Sequence, residues 1–342
     1  MNSAKPFISV IMPVRNEAEF IERSLRAVIN QDYDKDKYEI LVADGMSNDG
    51  TTEILNKFES KYSFLHLIQN KKNNTPSGLN LAISSAIGEI IIRVDGHCEI
   101  PSDYISKCVV LLSKIKADVI GGPINTKPNG KSYIAKGISY VTSHPFGVGN
   151  SMFRISKFSG YVDTVPFGAY RRDVFGKIGN FNENLERNQD NELCSRVLES
   201  GGRIYMTDEL LVNYYNQRYL TGLLKQAFKT GMWHISTLMN NVNSFRLRHF
   251  TPFAFVTFTI TLLVLSVFKS ELPLIIFYFL AGIYLLFLLL STLHISIKKG
   301  AIFVIILPVI FFSYHFAYGI GTWMGMFKLL KNIPKAKYFR FN

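Results

Sequence analysis

Asp95 and His97 stand one residue apart in Arg93-Val94-Asp95-Gly96-His97, directly after the apolar run Ile90-Ile91-Ile92. Such a run reads as a buried strand, so the carboxylate and the imidazole fall at its exit, where both can face one divalent cation. A cation held there would offset the charge of an anionic ligand such as a diphosphate. The plain alternative is a pair of loop residues with no shared ligand, and an Asp-x-His match alone does not separate the two.

The elements that must position this pair follow from the apolar pattern. Phe7 to Met12 is a compact apolar run ended by Pro13, a strand by this reading. Ile21, Leu25, Val28 and Ile29 recur at helical spacing and predict an amphipathic helix. Tyr38 to Ala43 is the next strand and stops at Asp44; the turn-rich Ser47-Asn48-Asp49-Gly50-Thr51 could cap a helix over Thr52 to Phe58. Phe64 to Ile68 reads as a third strand, Ser77 to Ile87 as a helix, and Glu89 to Val94 as a fourth strand. Alternation with short connections is the signature of a mostly parallel sheet covered by helices. Ligands of such sheets bind beyond the carboxyl ends of the strands, and Pro13 to Glu17, Asp44 to Asp49 and Asp95 to His97 all fall at such ends. Singly, each has another reading: Asp44 with Ser47 and Asp49 as turn and capping chemistry, Asn16-Glu17 as a helix start.

Composition changes along the chain. Of 342 residues, those up to about Asn243 mix charged and apolar types. Beyond Phe253, Leu, Ile, Phe and Val dominate in three runs, about 251–268, 272–295 and 301–327. Each is near the roughly 20 residues a helix needs to cross a bilayer, and their succession predicts three membrane spans. The net charge of +12 comes with no nucleic-acid recognition module, so no nucleic-acid partner is expected. Many cations flank the apolar runs instead (Arg246, Arg248, Lys298, Lys299, Lys328, Lys331, Lys335, Lys337 and Arg340), a placement that suits anionic headgroups. Met1 to Pro6 is too short and polar for a signal peptide, which predicts a first domain facing the cytoplasm. Three spans would then put the Lys-rich tail outside, against the positive-inside tendency, so the side of the tail stays open. Pro308 and the series Gly319, Gly321 and Gly325 make the last run a candidate for a kink, a re-entrant turn or close packing on another helix. Cys98, Cys108 and Cys194 lack zinc or CxxC spacing and read as reduced structural residues.

Taken together, Ser9 to Glu17, Val42 to Thr51, the Asp95 motif, Phe167 to Arg172 and Asn188 to Leu193 resemble glycosyltransferase family 2 over about residues 5 to 240. The resemblance leans to its succinoglycan-biosynthesis type of membrane glucosyltransferase, through Asp163 to Val165 and the order of elements around it. It implies an α/β GT-A fold and a cytoplasmic catalytic domain over 1–243, its nucleotide-sugar half at about 1–100 and its acceptor half at about 101–243. The membrane domain, with the basic tail, would cover 244–342. It also implies that Pro13, Arg15 and Glu17 line the nucleoside pocket, that Asp44 meets the base, and that Asp95 and His97 serve the metal and diphosphate. His97 replaces the family's usual second Asp, which keeps a ligand atom, removes a charge and shifts preference from Mg²⁺ toward Mn²⁺. Asp190 falls at the position of the catalytic base, preceded by Gln189 where most of the family has Glu. Glu192 is the rival base; two residues apart on a helix, the two acids point in different directions. An acidic helix N-terminus that merely complements the dipole is the plain alternative.

The resemblance further implies an inverting transfer from a nucleotide-diphosphate sugar, expected to be a UDP-sugar. Arg93, Arg171 and Arg172 are available cations. The processive signature Gln-x-x-Arg-Trp is not matched around Gln226 to Trp233, which argues for single additions; Trp233 could be an interfacial anchor. The apolar C-terminus points to a multi-pass protein of the cytoplasmic membrane. Its acceptor would be a lipid-linked saccharide on polyprenyl diphosphate, in exopolysaccharide or surface-glycan synthesis, and other glycan-assembly proteins would be its partners. A transferase acting on polyprenyl phosphate itself, and an inactive membrane scaffold, are the alternatives.

Overall fold

The computed structural model describes residues 5–244, 247–267 and 271–332; Met1 to Ala4, Arg246, Lys335, Lys337 and Arg340 lie outside them. The chain begins β1 (Ile8–Val14), α1 (Ile21–Ile29), β2 (Tyr38–Asp44), α2 (Thr51–Glu59), β3 (Leu65–Gln69), α3 (Thr75–Ser85), β4 (Ile90–Arg93) and β5 (Cys98–Glu99). It continues through α4 (Tyr104–Lys114), β6 (Val119–Gly121), β7 (Ile124–Lys127), α5 (Tyr133–Val141), α6 (Pro145–Val148), α7 (Met152–Ile155), β8 (Gly160–Tyr161), β9 (Ala169–Arg171) and α8 (Arg172–Ile178). It ends in α9 (Gln189–Glu199), β10 (Ile204–Met206), β11 (Val212–Tyr215), α10 (Leu220–Asn240), α11 (Leu247–Ser266), α12 (Glu271–Lys299) and α13 (Phe303–Asn332).

These elements pack as two units. One comprises the chain to Asn125 together with Met152–Tyr215; the other comprises Thr126–Ser151 and everything from Asn216. The packing units therefore divide at other points than the functional division expected at 243, because α5 and α10 pack on the apolar helix α13.

The first unit is built on a mixed sheet in the order β3-β2-β1-β4-β9-β6-β10-β8. β1 runs parallel to β2 and β4, and β2 to β3, while β9 inserts antiparallel between β4 and β6. The alternation of β1 explains both of its faces. Ile8, Val10, Met12 and Val14 join Leu25 and Val28 of α1, whereas Ile11 meets Leu79 and Ala82 of α3 on the other side. A strand buried on both faces must be mostly apolar, which is why these strands read as near-continuous runs; the polar exceptions answer each other, Ser9 Oγ donating to Glu39 Oε1 at 2.6 Å. The parallel register brings the exits of β1, β2 and β4 to one sheet edge.

In the second unit, α10 lies along α13. Gly321 and Gly325 allow that approach: a Cβ at Gly321 would sit 2.1 Å from the Phe228 carbonyl oxygen, and one at Gly325 would sit 2.5 Å from that of Met232. The glycine series of the last apolar run is thus a helix-packing face. α12 differs. Leu272, Ile275, Tyr278, Phe279, Leu285, Leu286, Leu289 and Leu290 are all exposed along it, more contiguous apolar surface than a water-soluble monomer shows. Of the three expected spans, α12 and α13 (Glu271–Lys299 and Phe303–Leu330) are long and apolar enough to cross a bilayer, while the described apolar stretch of α11, Phe250–Leu265, is shorter.

Candidate active site

Polar side chains stitch the sheet edge together before any ligand is considered. The Asn16 backbone N–H donates to Ser47 Oγ at 2.9 Å, and Asn16 Oδ1 accepts from the Asn48 N–H at 3.0 Å. The Glu17 N–H donates to Thr51 Oγ1 at 2.8 Å and the Ala18 N–H to Asp49 Oδ2 at 3.1 Å. Burial pushes the Asp49 carboxyl up, but hydrogen bonds from Thr51 and from the Ala18 amide outweigh it and hold the group below the usual range. Asn16, Met46, Phe167 and Asn188 take left-handed backbone conformations, with φ of 55°, 57°, 49° and 63°. For Met46 and Phe167, non-glycine residues with bulky side chains, that is a strained state of the kind held at ligand-binding loops.

Glu17 reaches from the β1 exit to the β4 exit, where its Oε1 lies 2.8 Å from His97 Nδ1. Burial works against a charged imidazole here, yet the hydrogen bond and charge of Glu17, with Asp95 beside it, raise the His97 pKa above its ordinary value. The His97 ring packs edge-on against Tyr214 at 5.0 Å. Ser24 Oγ of α1 lies 2.8 Å and 2.5 Å from the carbonyl oxygens of Gly96 and Cys98, pinning the turn. Neither Ser24 nor Tyr214 is singled out by the sequence, because no local pattern marks a helix serine or a distant tyrosine as touching this turn.

Asp95 is forked by Arg93, with Nε to Oδ1 at 2.9 Å and Nη2 to Oδ2 at 3.2 Å. The third guanidinium nitrogen, Nη1, lies 3.3 Å from Asp190 Oδ1. Burial opposes the Arg93 charge, but Asp95 and Asp190 outweigh it and bind the proton more firmly than in water. Asp190 opens α9 behind Asn188. Its Oδ1 is buried with no hydrogen-bond partner among the described residues, while the side chain as a whole is about one-third exposed, at 35%.

Several expected site residues are placed elsewhere or are already engaged. Glu192, the rival base, is buried in a two-pronged pair with Arg196 at 2.7 and 2.8 Å, and Arg196 also donates to the Ile178 and Asn180 carbonyls at and just past the end of α8. Glu192 thus anchors α9 to α8. Arg171 faces away from the site: its partner in the β4 ladder is Ile90, at the strand's entry, and its guanidinium donates to the Leu112 and Ala117 carbonyls at the end of α4. Arg172 follows at the same end, its N–H donating to the Glu89 carbonyl at 3.0 Å. From Ile90 to Asp95 is about 16 Å of extended chain, so neither arginine is a cation of this edge; their spacing after Phe167 did not reveal the antiparallel turn that carries them off.

Arg93 is not an available cation either, since two carboxylates surround it. Asp44 anchors its own turn, accepting from Ser47 Oγ at 2.6 Å and Thr52 Oγ1 at 2.7 Å. Arg15 is exposed and donates to the Asn73 carbonyl at 2.8 Å, and Pro13 lies half-buried near the end of β1. Gln189 is buried, and its Oε1 accepts no hydrogen bond from the described residues. Trp233 belongs to α10 of the second unit. The three cysteines are buried and unpaired, and burial pushes each thiol pKa up.

The donor set fits a divalent cation that arrives with its ligand. Among the described residues no group of three or more His, Cys, Asp or Glu side chains could hold a metal alone. Asp95 and His97 could offer two ligands, and a diphosphate and water would supply the rest, a common pattern for Mg²⁺ or Mn²⁺. The Arg93 fork uses one lone pair on each Asp95 oxygen and leaves the other. With Glu17 on Nδ1, His97 Nε2 is the ring nitrogen that would be left for a metal, as in the carboxylate–histidine arrangement that orients metal-bound imidazoles.

Comparison with known proteins follows the same line. Residues 9–179 match the family model described as Glycosyl transferase family 2. The chain is 27% identical over 331 residues to the dolichyl N-acetyl-α-D-glucosaminyl phosphate 3-β-D-2,3-diacetamido-2,3-dideoxy-β-D-glucuronosyltransferase of Methanococcus voltae, covering 94% of this chain and 98% of that protein. It is 26% identical over 247 residues to the succinoglycan biosynthesis protein ExoA of Rhizobium meliloti, covering 72% of this chain and 74% of that one. Among solved structures it is similar to the mannosyltransferase PcManGT of Pyrobaculum calidifontis in complex with GDP-Man and Mn²⁺, with a TM-score of 0.62 at 17% identity over 94% of this chain and 88% of that one. The α/β fold is of the GT-A type, with a mixed, mostly parallel sheet flanked by helices.

Proposed function

The chain belongs to glycosyl transferase family 2 and is a glycosyltransferase that uses nucleotide sugars; on that premise we propose that it moves one sugar, with inversion, from a UDP-sugar to a lipid-linked saccharide. The observation that carries this reading is the gathering of two linked pairs on one sheet edge, Arg93 joining Asp95 to Asp190 and Glu17 meeting His97. The lipid acceptor draws support from the exposed apolar face of α12 and from the Methanococcus relative, whose name states a dolichyl-phosphate-linked sugar as acceptor. A polyprenyl diphosphate carrier and a role in surface-glycan assembly are part of the proposal. So are a catalytic part over 1–243 facing the cytoplasm and a membrane part over 244–342.

The chemistry asks little of the protein beyond placement. The acceptor hydroxyl attacks the anomeric carbon from the face opposite the nucleotide, and the bond to the diphosphate oxygen breaks. Asp190 Oδ2, on the exposed side of the carboxylate, takes the hydroxyl proton, help of the kind that contributes about 10²–10⁴-fold. Asp95 and His97 would hold a divalent cation, which when bound supplies positive charge against the leaving diphosphate. Glu192 has no part in proton transfer, because Arg196 occupies both of its oxygens. Asp44 keeps its turn rigid and retains lone pairs for a ring N–H of the base. Pro13 and Arg15, at the same sheet edge, would border the nucleoside.

The test is nucleotide release from a panel of UDP-, GDP- and CMP-sugars by the purified full chain, with Mn²⁺ and a polyprenyl-linked lipid extract. Lipid-dependent release from one UDP-sugar, lost in Asp190→Asn, is expected. Release that is unchanged in Asp190→Asn would overturn the assignment of the base. Preference for a GDP- or CMP-sugar would overturn the donor class.

A further inference from the structure

Arg93 has a role that the transfer scheme leaves open. Its side chain is only 5% exposed, so it cannot meet a diphosphate arriving from solvent. It instead joins two carboxylates that lie 95 positions apart in the chain, Asp95 after β4 and Asp190 at the start of α9. A guanidinium presents its N–H groups in a rigid planar fork, so binding Asp95 through Nε and Nη2 fixes where Nη1 points. Nη1 lies 3.3 Å from the buried Oδ1 of Asp190, an ion pair without a hydrogen bond, and Oδ2 is left outward.

Resting on the transfer reading above, we propose that Arg93 is a positioning residue that sets the proton-accepting Asp190 and the diphosphate-facing Asp95 in one frame. Neither carboxylate has a second cation to hold it among the described ion pairs. α9 itself is tied to α8 through the Glu192–Arg196 pair, but that tie lies on another side of the helix and does not hold the Asp190 carboxylate. Arg93 holds it by charge, at 3.3 Å from Oδ1. Lysine cannot replace it, because a single ammonium has no second arm for Asp190 once it sits on Asp95.

The test is a double-mutant cycle on the full chain in detergent, with Arg93→Lys, Asp190→Asn and the pair. Arg93→Lys is expected to lower kcat by about 10–100-fold, and the pair to match Asp190→Asn within about threefold, since groups acting as a unit are strongly non-additive. Mn²⁺ binding in the presence of UDP, read by electron paramagnetic resonance, should weaken severalfold in Arg93→Lys and lose that sensitivity once Asp95 is Asn. Losses that multiply in the pair would overturn the assignment. If Arg93→Lys fails to fold, the ¹⁵N-arginine spectrum of the wild type decides. A slowly exchanging Arg93 guanidinium must appear there and shift in Asp190→Asn, and an unmoved signal would equally overturn it. Wild-type protein that releases no nucleotide from any donor would overturn the transfer reading itself, which is a different result from an additive cycle.

Discussion

His97 Nδ1 lies 2.8 Å from Glu17 Oε1, so a side chain from the β1 exit sets the orientation of the ring offered at the β4 exit. The pair has a pH signature in the metal-free protein. The His97 pKa is raised above 6.5, chiefly by Glu17 against the opposing effect of burial. Its stabilisation is therefore fully present below the unfolded value and fades as pH climbs through the folded one. Imidazole NMR signals should show His97 titrating above 6.5, and Glu17→Gln should move the midpoint down. A midpoint at or below the ordinary histidine value would remove the pairing.

The two acids of the first turn of α9 should fail differently. Asp190→Asn is expected to cut turnover by about 10²–10⁴-fold, while Asp95 still holds Arg93. Glu192→Gln leaves Arg196 partly buried and unpaired, and should cost about 2 kcal/mol of stability while turnover per folded molecule holds. Thermal melts and initial rates on both variants settle which acid does chemistry, and the reverse pattern would exchange their roles.

Chelation should abolish nucleotide release. Mn²⁺ should restore it more fully than Mg²⁺, because an imidazole ligand favours the softer ion. His97→Asp should narrow or reverse that preference. Equal rescue of the wild type by both ions would count against His97 as a ligand.

Gly321→Ala should destabilise the second unit by about 1–3 kcal/mol, since the added methyl meets the Phe228 carbonyl of α10. Gly282→Ala in α12, where nothing lies within 4 Å of the added carbon, is the matched control. Equal melting temperatures in detergent would mean that α10 and α13 do not approach as closely as described.

Leu286→Lys places a charge on the exposed apolar face of α12, where the leucine is 53% exposed. Insertion should become less favourable by about 3 kcal/mol, seen as loss of the chain from the carbonate-washed membrane fraction. Retention of the variant in that fraction would mean that this face does not meet lipid.

Much of the architecture was legible in the sequence because its signals are local. Phe7 to Met12, Tyr38 to Ala43 and Glu89 to Val94 became β1, β2 and β4 with ends shifted by one or two residues, since a doubly buried strand must be mostly apolar. Parallel pairing then follows from the intervening helices, and with it the gathering of Glu17, Asp44 and Asp95 at one edge.

What the sequence by itself determined is which residue types stand at strand exits and where the apolar helices run, because apolar period and turn chemistry are properties of neighbours in the chain. Only the tertiary structure decided which charge answers which. Arg93, Arg171, Arg172 and Arg196 look alike in the sequence. One bridges Asp95 and Asp190, one caps α4, one follows it at the far end of β4, and one holds Glu192. The same holds for the glycines of α13, whose purpose depends on the carbonyls of α10 that they meet. Charge pairing and close approach depend on distances between segments tens of residues apart, and those distances exist only once the sheet and helices have packed.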